Sequence, residues 1–329
     1  MPIGDNGANA AERLMPEALS NAAARFVDSL KINSISKAVR RGRPVVTKRR
    51  QVYGGQLSEL ANLYFRISGL PIRFWTKAKD WQRWEVECFK MLNGDRFRAS
   101  RLHNNAISID QLPGENLWEH LNRRTLSRRM MEAAGVEFRR AHQFQSKRFR
   151  GPWSHGDAGM ANVIYDDKSN RARLIDFEIV HDKALPTLSR HADDLLIFML
   201  DLISAAPGRH WLPLTLAFLD AYDNAPVIAQ LARQLAPPSG MAWIWWGVRT
   251  SFANPARIRD RLAKLRDLTS HLAHYRAVAG ARVRQKRRAS ITCQTMRAGM
   301  PRPISRARQT RERANAPSPE IPSKLPTTR

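Results

Sequence analysis

Three side chains near the middle of the chain have the types and spacing to do chemistry. Asp157 and Asn162 stand five apart in HGDAGMAN, and Asp176 opens Asp176-Phe177-Glu178 fourteen residues later. Moving a γ-phosphoryl group needs little covalent help. It needs a carboxylate near the acceptor hydroxyl and oxygen ligands for the Mg²⁺ that bridges the phosphates. Asp157 supplies the first, and Asn162 and Asp176 the second. Two short β-prone runs, 162–165 and 172–175, flank the polar turn 166–170 and predict a hairpin. That hairpin brings the start of one strand beside the end of the next, so all three groups converge. Taken singly, each fits an ordinary turn, where Asp and Asn are favoured for their own hydrogen bonding. The combination at this spacing is harder to explain that way.

The surrounding elements follow from periodicity. KAVRRGRPVVTKRR predicts a hairpin about Arg41-Gly42, preceded by a weakly patterned N-terminal helix through Leu14, Ala18, Phe26 and Leu30. Gly54-Gly55 and Gly69-Leu70-Pro71 read as turns. Trp81, Trp84, Cys88, Phe89 and Leu92 recur at three- and four-residue steps, and so do Met130, Ala134, Phe138 and Ala141; each set marks one apolar helix face. A strand is expected over 106–109 and helices from Asp193 to about Val278. Trp243, Trp245 and Trp246 read as core, or alternatively as a lipid- or sugar-contacting surface. Strands first and helices afterwards predict an α+β protein with segregated layers.

With those residues in view, the chain resembles a known superfamily. His-Gly-Asp with Asn five after the Asp, followed by Ile-Asp-Phe-Glu, is similar to the aminoglycoside phosphotransferase and choline kinase branch of the protein-kinase-like superfamily, and to bacterial lipopolysaccharide core kinases. The resemblance spans roughly residues 33–205 and is strongest from His142. It implies a two-lobed fold, with a small β-rich N-lobe over 31–113 and a larger helical C-lobe over 114–278. Residues 1–30 form an N-terminal extension. It also implies ATP and Mg²⁺ as cofactors and a hydroxyl acceptor. His155 and Gly156 would shape the catalytic loop. A later helix carboxylate would brace it, Asp194 first and Asp193 as its rival.

By the same resemblance, a strand lysine meets the phosphates and a helix glutamate holds it. Val45-Val46-Thr47-Lys48 and Glu85 match these parts, with Lys77 and Lys79 as rival lysines and Glu87 as a rival glutamate. Residues 109–114 resemble the linker whose backbone meets adenine. No Gly-x-Gly-x-x-Gly precedes Lys48. Asn33-Ser34-Ile35-Ser36 stands where a phosphate-covering turn belongs, with Ser34 and Ser36 as candidate phosphate contacts. Gly where protein kinases carry Arg, and Glu in place of Gly after Asp-Phe, favour a small-molecule, saccharide or lipid-linked acceptor. A Ser/Thr protein kinase, or a non-catalytic kinase-like protein docking on nucleic acid or anionic membrane, are the competing readings.

The net charge of +26, from 55 Lys and Arg against 29 Asp and Glu, favours anionic partners. In residues 281–329, thirteen Lys and Arg stand against two Asp and Glu among many Pro and Ser, the composition of a basic disordered tail from 279 onward. That tail is a candidate for peripheral contact with anionic membrane or nucleic acid. Two cysteines, Cys88 and Cys293, exclude a disulfide framework or a zinc cluster. They fit a reducing, cytoplasmic location, including the inner face of a membrane.

Overall fold

The computed structural model describes residues 32–238, 240–250 and 253–271. Every described residue belongs to one unit, Met1–Ala279. The expected N-terminal helix and basic tail lie outside the described residues.

The described part is a mixed α+β structure. β1 (Asn33–Arg40) and β2 (Arg43–Arg50) form an antiparallel hairpin. Its two loop residues, Arg41 and Gly42, both have positive φ, at 51° and 73°, which is the twist that two-residue hairpin loops require. β4 (Ala99–Leu102) and β5 (Ala106–Asp110) complete a four-stranded sheet in the order β1-β2-β5-β4. β5 is buried on both faces along most of its length.

Between β2 and that strand pair lie α1 (Gly54–Ile67), the short β3 (Ile72–Phe74) and α2 (Ala78–Asn93). Gly54-Gly55 therefore opens a helix and does not form the expected turn. Glycine is needed here for close approach: a Cβ on Gly54 would lie 2.9 Å from the Ile32 carbonyl oxygen. α2 buries Trp81, Trp84, Cys88, Phe89 and Leu92 as its periodicity requires. The Gln82 amide donates to the carbonyls of Leu102 and Ala106, at 3.0 and 2.6 Å, and so fastens α2 to the β4–β5 turn.

Helices dominate the rest. β6 (Glu115–Asn116) leads into α3 (Leu117–Asn122), capped by Asn116, and Ser127 caps α4 (Arg128–Gln143). After the small pair β7 (Gln145–Ser146) and β8 (Gly151–Pro152) come β9 (Val163–Asp166) and β10 (Arg171–Leu174), an antiparallel hairpin beside β6. β11 (Ile179–His181) then pairs back to β3. α5 (Thr187–Ala205) buries thirteen of its nineteen residues, the mark of a central helix. α6 (Trp211–Tyr222), α7 (Ala225–Gln234), α8 (Ala242–Arg249) and a helical run over 255–271 pack around it. In α8, Trp246 is buried, and Trp245 packs edge-on against Phe65 of α1 with ring centroids 4.9 Å apart. Among the described residues no helix is long and apolar enough to cross a membrane.

Candidate active site

Lys48 lies on β2 opposite Ile35 and Ile107, on the side of the sheet covered by α2, and is 4% exposed. Its ammonium is 2.8 Å from Glu85 Oε1 on α2 and 2.8 Å from Asp176 Oδ1 just beyond β10. Glu178 Oε1 stands 3.6 Å away. Burial by itself would lower the lysine's pKa, but Asp176, Glu85 and Glu178 more than reverse this, so the group stays charged. The second oxygen of Glu85 accepts the backbone N–H of Phe177 at 2.9 Å, tying α2 to the same segment. Asp176 itself has φ 64°, a left-handed conformation that Asp tolerates better than most residues.

Glu178 points into this cluster and accepts a hydrogen bond from the Asn33 amide. Burial first, and then the charge of Asp176, push its pKa up to about 8, so at neutral pH it is a neutral acid. Three carboxyl groups facing one lysine carry more negative charge than the site balances, and the excess is relieved by a proton.

The Asp157 segment is held from below by Asp194 of α5, which is fully buried. Asp194 Oδ1 accepts the N–H of Gly156 at 2.8 Å, and Oδ2 accepts that of His155 at 2.8 Å. His142 Nε2 is 3.1 Å from Oδ2, and its Nδ1 meets the Tyr222 hydroxyl at 2.8 Å. Burial would raise the Asp194 pKa, but His181 and His142 outweigh it and hold the carboxyl well below the usual range.

His155 joins the two halves of the site. Its Nε2 reaches the Ile175 carbonyl at 2.9 Å, while the Asp157 N–H donates to Nδ1 at 3.2 Å. These partners assign the proton to Nε2. Burial depresses the pKa and keeps the ring neutral. Gly156 has φ 91°, and a Cβ there would lie 2.9 Å from the Ile179 carbonyl oxygen, so conformation and space both require glycine.

Asn162 closes the 3₁₀ turn Met160–Asn162. Its side-chain Nδ2 donates to the Asp157 carbonyl at 2.8 Å, and its backbone carbonyl accepts the N–H of Ile175 at 3.0 Å. Asn162 and Asp176 are thereby neighbours. With the Asn162 Nδ2 engaged, Oδ1 is the end left for a cation, and Asp176 follows directly on the Ile175 to which Asn162 is bonded. One amide oxygen and one carboxylate suit a hard cation that takes its remaining oxygens from phosphate and water. Among the described residues no group of three or more His, Cys, Asp or Glu side chains forms a metal cage.

The structure brings Lys48, Glu85, Asp157, Asn162, Asp176, His155 and Asp194 into one region, and it separates their rivals from it. Lys77 and Lys79 are exposed at the start of α2, and Glu87 is exposed on another face of that helix. Asp193 pairs instead with His181 Nε2 at 2.9 Å. Ser34 and Ser36 differ from expectation. They belong to strand β1, opposite Arg49 and Thr47, so they face away from Lys48; the turn of this hairpin is Arg41-Gly42, flanked by Arg40 and Arg43.

Two contributors carry no short-range signal in the sequence. Arg249, the last residue of α8, places Nη1 3.0 Å from Asp157 Oδ1, more than ninety positions away along the chain. Asp201 of α5 accepts the Met160 N–H at 2.6 Å. Burial chiefly, with Asp157 adding to it, raises the Asp201 pKa to about 7 against the pull of Met160 N–H and Arg249. No protein-family model matches the chain, and no curated protein does.

Proposed function

We propose that this protein is an ATP- and Mg²⁺-dependent phosphotransferase of the protein-kinase-like superfamily, acting on a hydroxyl of a small molecule or of a saccharide- or lipid-linked acceptor. The observation that carries the reading is the Lys48 ammonium held at 2.8 Å by both Glu85 and Asp176, drawn from a strand, a helix and the segment after a hairpin. Such a lysine is pre-positioned for phosphate oxygens. On this reading the described strands and helices up to residue 113 form the smaller lobe, and the described residues from 114 onward the larger. Mg-ATP, when bound, supplies the γ-phosphoryl group and the cation that neutralises its charge. Asn162 Oδ1 and Asp176 hold that cation. Asp157 orients the acceptor hydroxyl and takes its proton, and Asp194 keeps the Asp157 backbone in place. Arg249, paired with Asp157, comes from the helical region where an acceptor would be selected, and it suits an anionic one.

The test is thermal unfolding with and without Mg-ATP, followed by turnover. Wild type should gain stability with Mg-ATP. Asp176→Ala should lose the Mg²⁺-dependent part of that gain, and Asp157→Ala should keep it while ATP turnover is abolished. Absence of any Mg-ATP stabilisation in wild type, or full turnover by Asp157→Ala, would overturn the reading.

A further inference from the structure

On a different face of α2 from the one that carries Glu85, a cleft of about 760 Å³ opens between that helix, the β7–β8 segment and the residues beside β3 and β11. None of the candidate active-site residues lines it. Its size is that of a small-molecule site. Five cations border it, Arg73, Arg83, Lys147, Arg148 and Lys183, against two carboxylates, Asp80 and Glu87. Its apolar wall is Trp75 and Trp84, over which the Arg148 guanidinium lies at 4.8 and 5.8 Å from the ring centroids. Arg73 stands 5.6 Å from the Trp75 ring, so this indole lies within reach of two guanidinium groups.

Three polar atoms of this wall lack a hydrogen-bond partner. Trp84 is only 7% exposed, yet its indole Nε1–H has no hydrogen-bond partner; nor do Trp75 Nε1 and Arg148 Nε. Buried indole N–H groups ordinarily find an acceptor. The residues that carry these donors line a cleft bordered by five cations against two carboxylates, an excess of positive charge that favours an anion. Burial, with Arg73 adding to it, holds the Arg148 pKa down to about 10, so an anion nearby would also relieve a real cost.

We infer that this cleft is a second ligand site, separate from the Lys48–Asp157 centre, for a phosphomonoester whose phosphate meets Arg83, Arg148 and Lys183 and whose body lies against Trp75 and Trp84. The inference does not depend on phosphotransfer, and its test uses neither ATP nor turnover.

The experiment is calorimetric titration of the full chain with glycerol 3-phosphate, and flotation with phosphatidylcholine vesicles with and without phosphatidic acid. It compares wild type with Arg83→Ala/Lys183→Ala, both of which are exposed positions whose loss leaves the core intact. Binding of glycerol 3-phosphate that weakens at least tenfold in the double variant supports a soluble ester. Retention only on phosphatidic acid vesicles, lost in the double variant, supports a lipid headgroup with the same chemistry. Glu87→Gln should tighten whichever binding is found, by removing an opposing carboxylate. Failure of every probe to bind, or binding that the double variant retains in full, overturns the inference.

Discussion

Replacing Asp194 by Asn keeps the side chain's shape and removes one acceptor and the charge. The carboxylate accepts two backbone N–H groups at 2.8 Å and faces His142 Nε2 at 3.1 Å, with no exposed surface. An amide has one oxygen, so one backbone N–H must face an NH₂ group. The less costly orientation keeps the oxygen toward His155 and His142 and turns the nitrogen toward Gly156. A buried N–H left without an acceptor costs about 1–3 kcal/mol, and the surviving bonds lose their charge assistance. Together these give a loss of about 3 kcal/mol, or roughly 6–12 °C in Tm for a unit of this size. Urea unfolding followed by circular dichroism reads the change. Because the Asp194 pKa is depressed in the folded state, its contribution is present above the unfolded value of about 3.9 and is lost only below it. A deficit should therefore be present at both pH 5 and pH 8. Asp193→Asn, at a partly exposed carboxylate with a single histidine partner, should cost about 1 kcal/mol or less. A loss below about 1 kcal/mol for Asp194→Asn, or an equal loss at Asp193, would refute this account of how the Asp157 segment is held.

Two further predictions concern the same frame. Gly156→Ala forces a side chain into φ 91° and against the Ile179 carbonyl and His181 nitrogen, at 2.9 and 3.1 Å. The strain and overpacking should cost about 2–5 kcal/mol in the same urea experiment. Glu178, with its pKa raised to about 8, binds a proton in the folded state that the unfolded chain releases near 4.5. It therefore makes stability fall as pH rises between those values. Glu178→Gln should flatten that slope and leave the variant more stable than wild type at pH 8.5, as read from Tm against pH; an unchanged slope would place Glu178 in a more polar setting than its contacts indicate.

Much of the local architecture was legible in the chain. The apolar steps through Trp81–Leu92 and Met130–Ala141 mark α2 and α4, and the β9–β10 hairpin follows from its turn. These are short-range patterns, set by helical and strand periods that repeat every few residues. The three-residue strands β3 and β11 were not legible. Neither holds enough residues to show alternation, and each is stabilised by the other from more than one hundred positions away. Gly54-Gly55 misled for a related reason: the pair answers a close approach to the Ile32 carbonyl, which only the folded chain creates.

The candidate site divides in the same way. That Asn162 and Asp176 meet was legible in sequence, because they bracket one hairpin whose pairing rule is local, and Asp157 stands only five residues before Asn162. Which lysine meets Asp176, which neighbour of the Asp193-Asp194 pair takes the His155 and Gly156 amides, and that Arg249 faces Asp157, were decided only by tertiary structure. Charges and hydrogen bonds act over a few ångströms in space with no regard for distance along the chain. In a sequence with 55 lysines and arginines, spacing cannot single out the one that packing buries between two carboxylates.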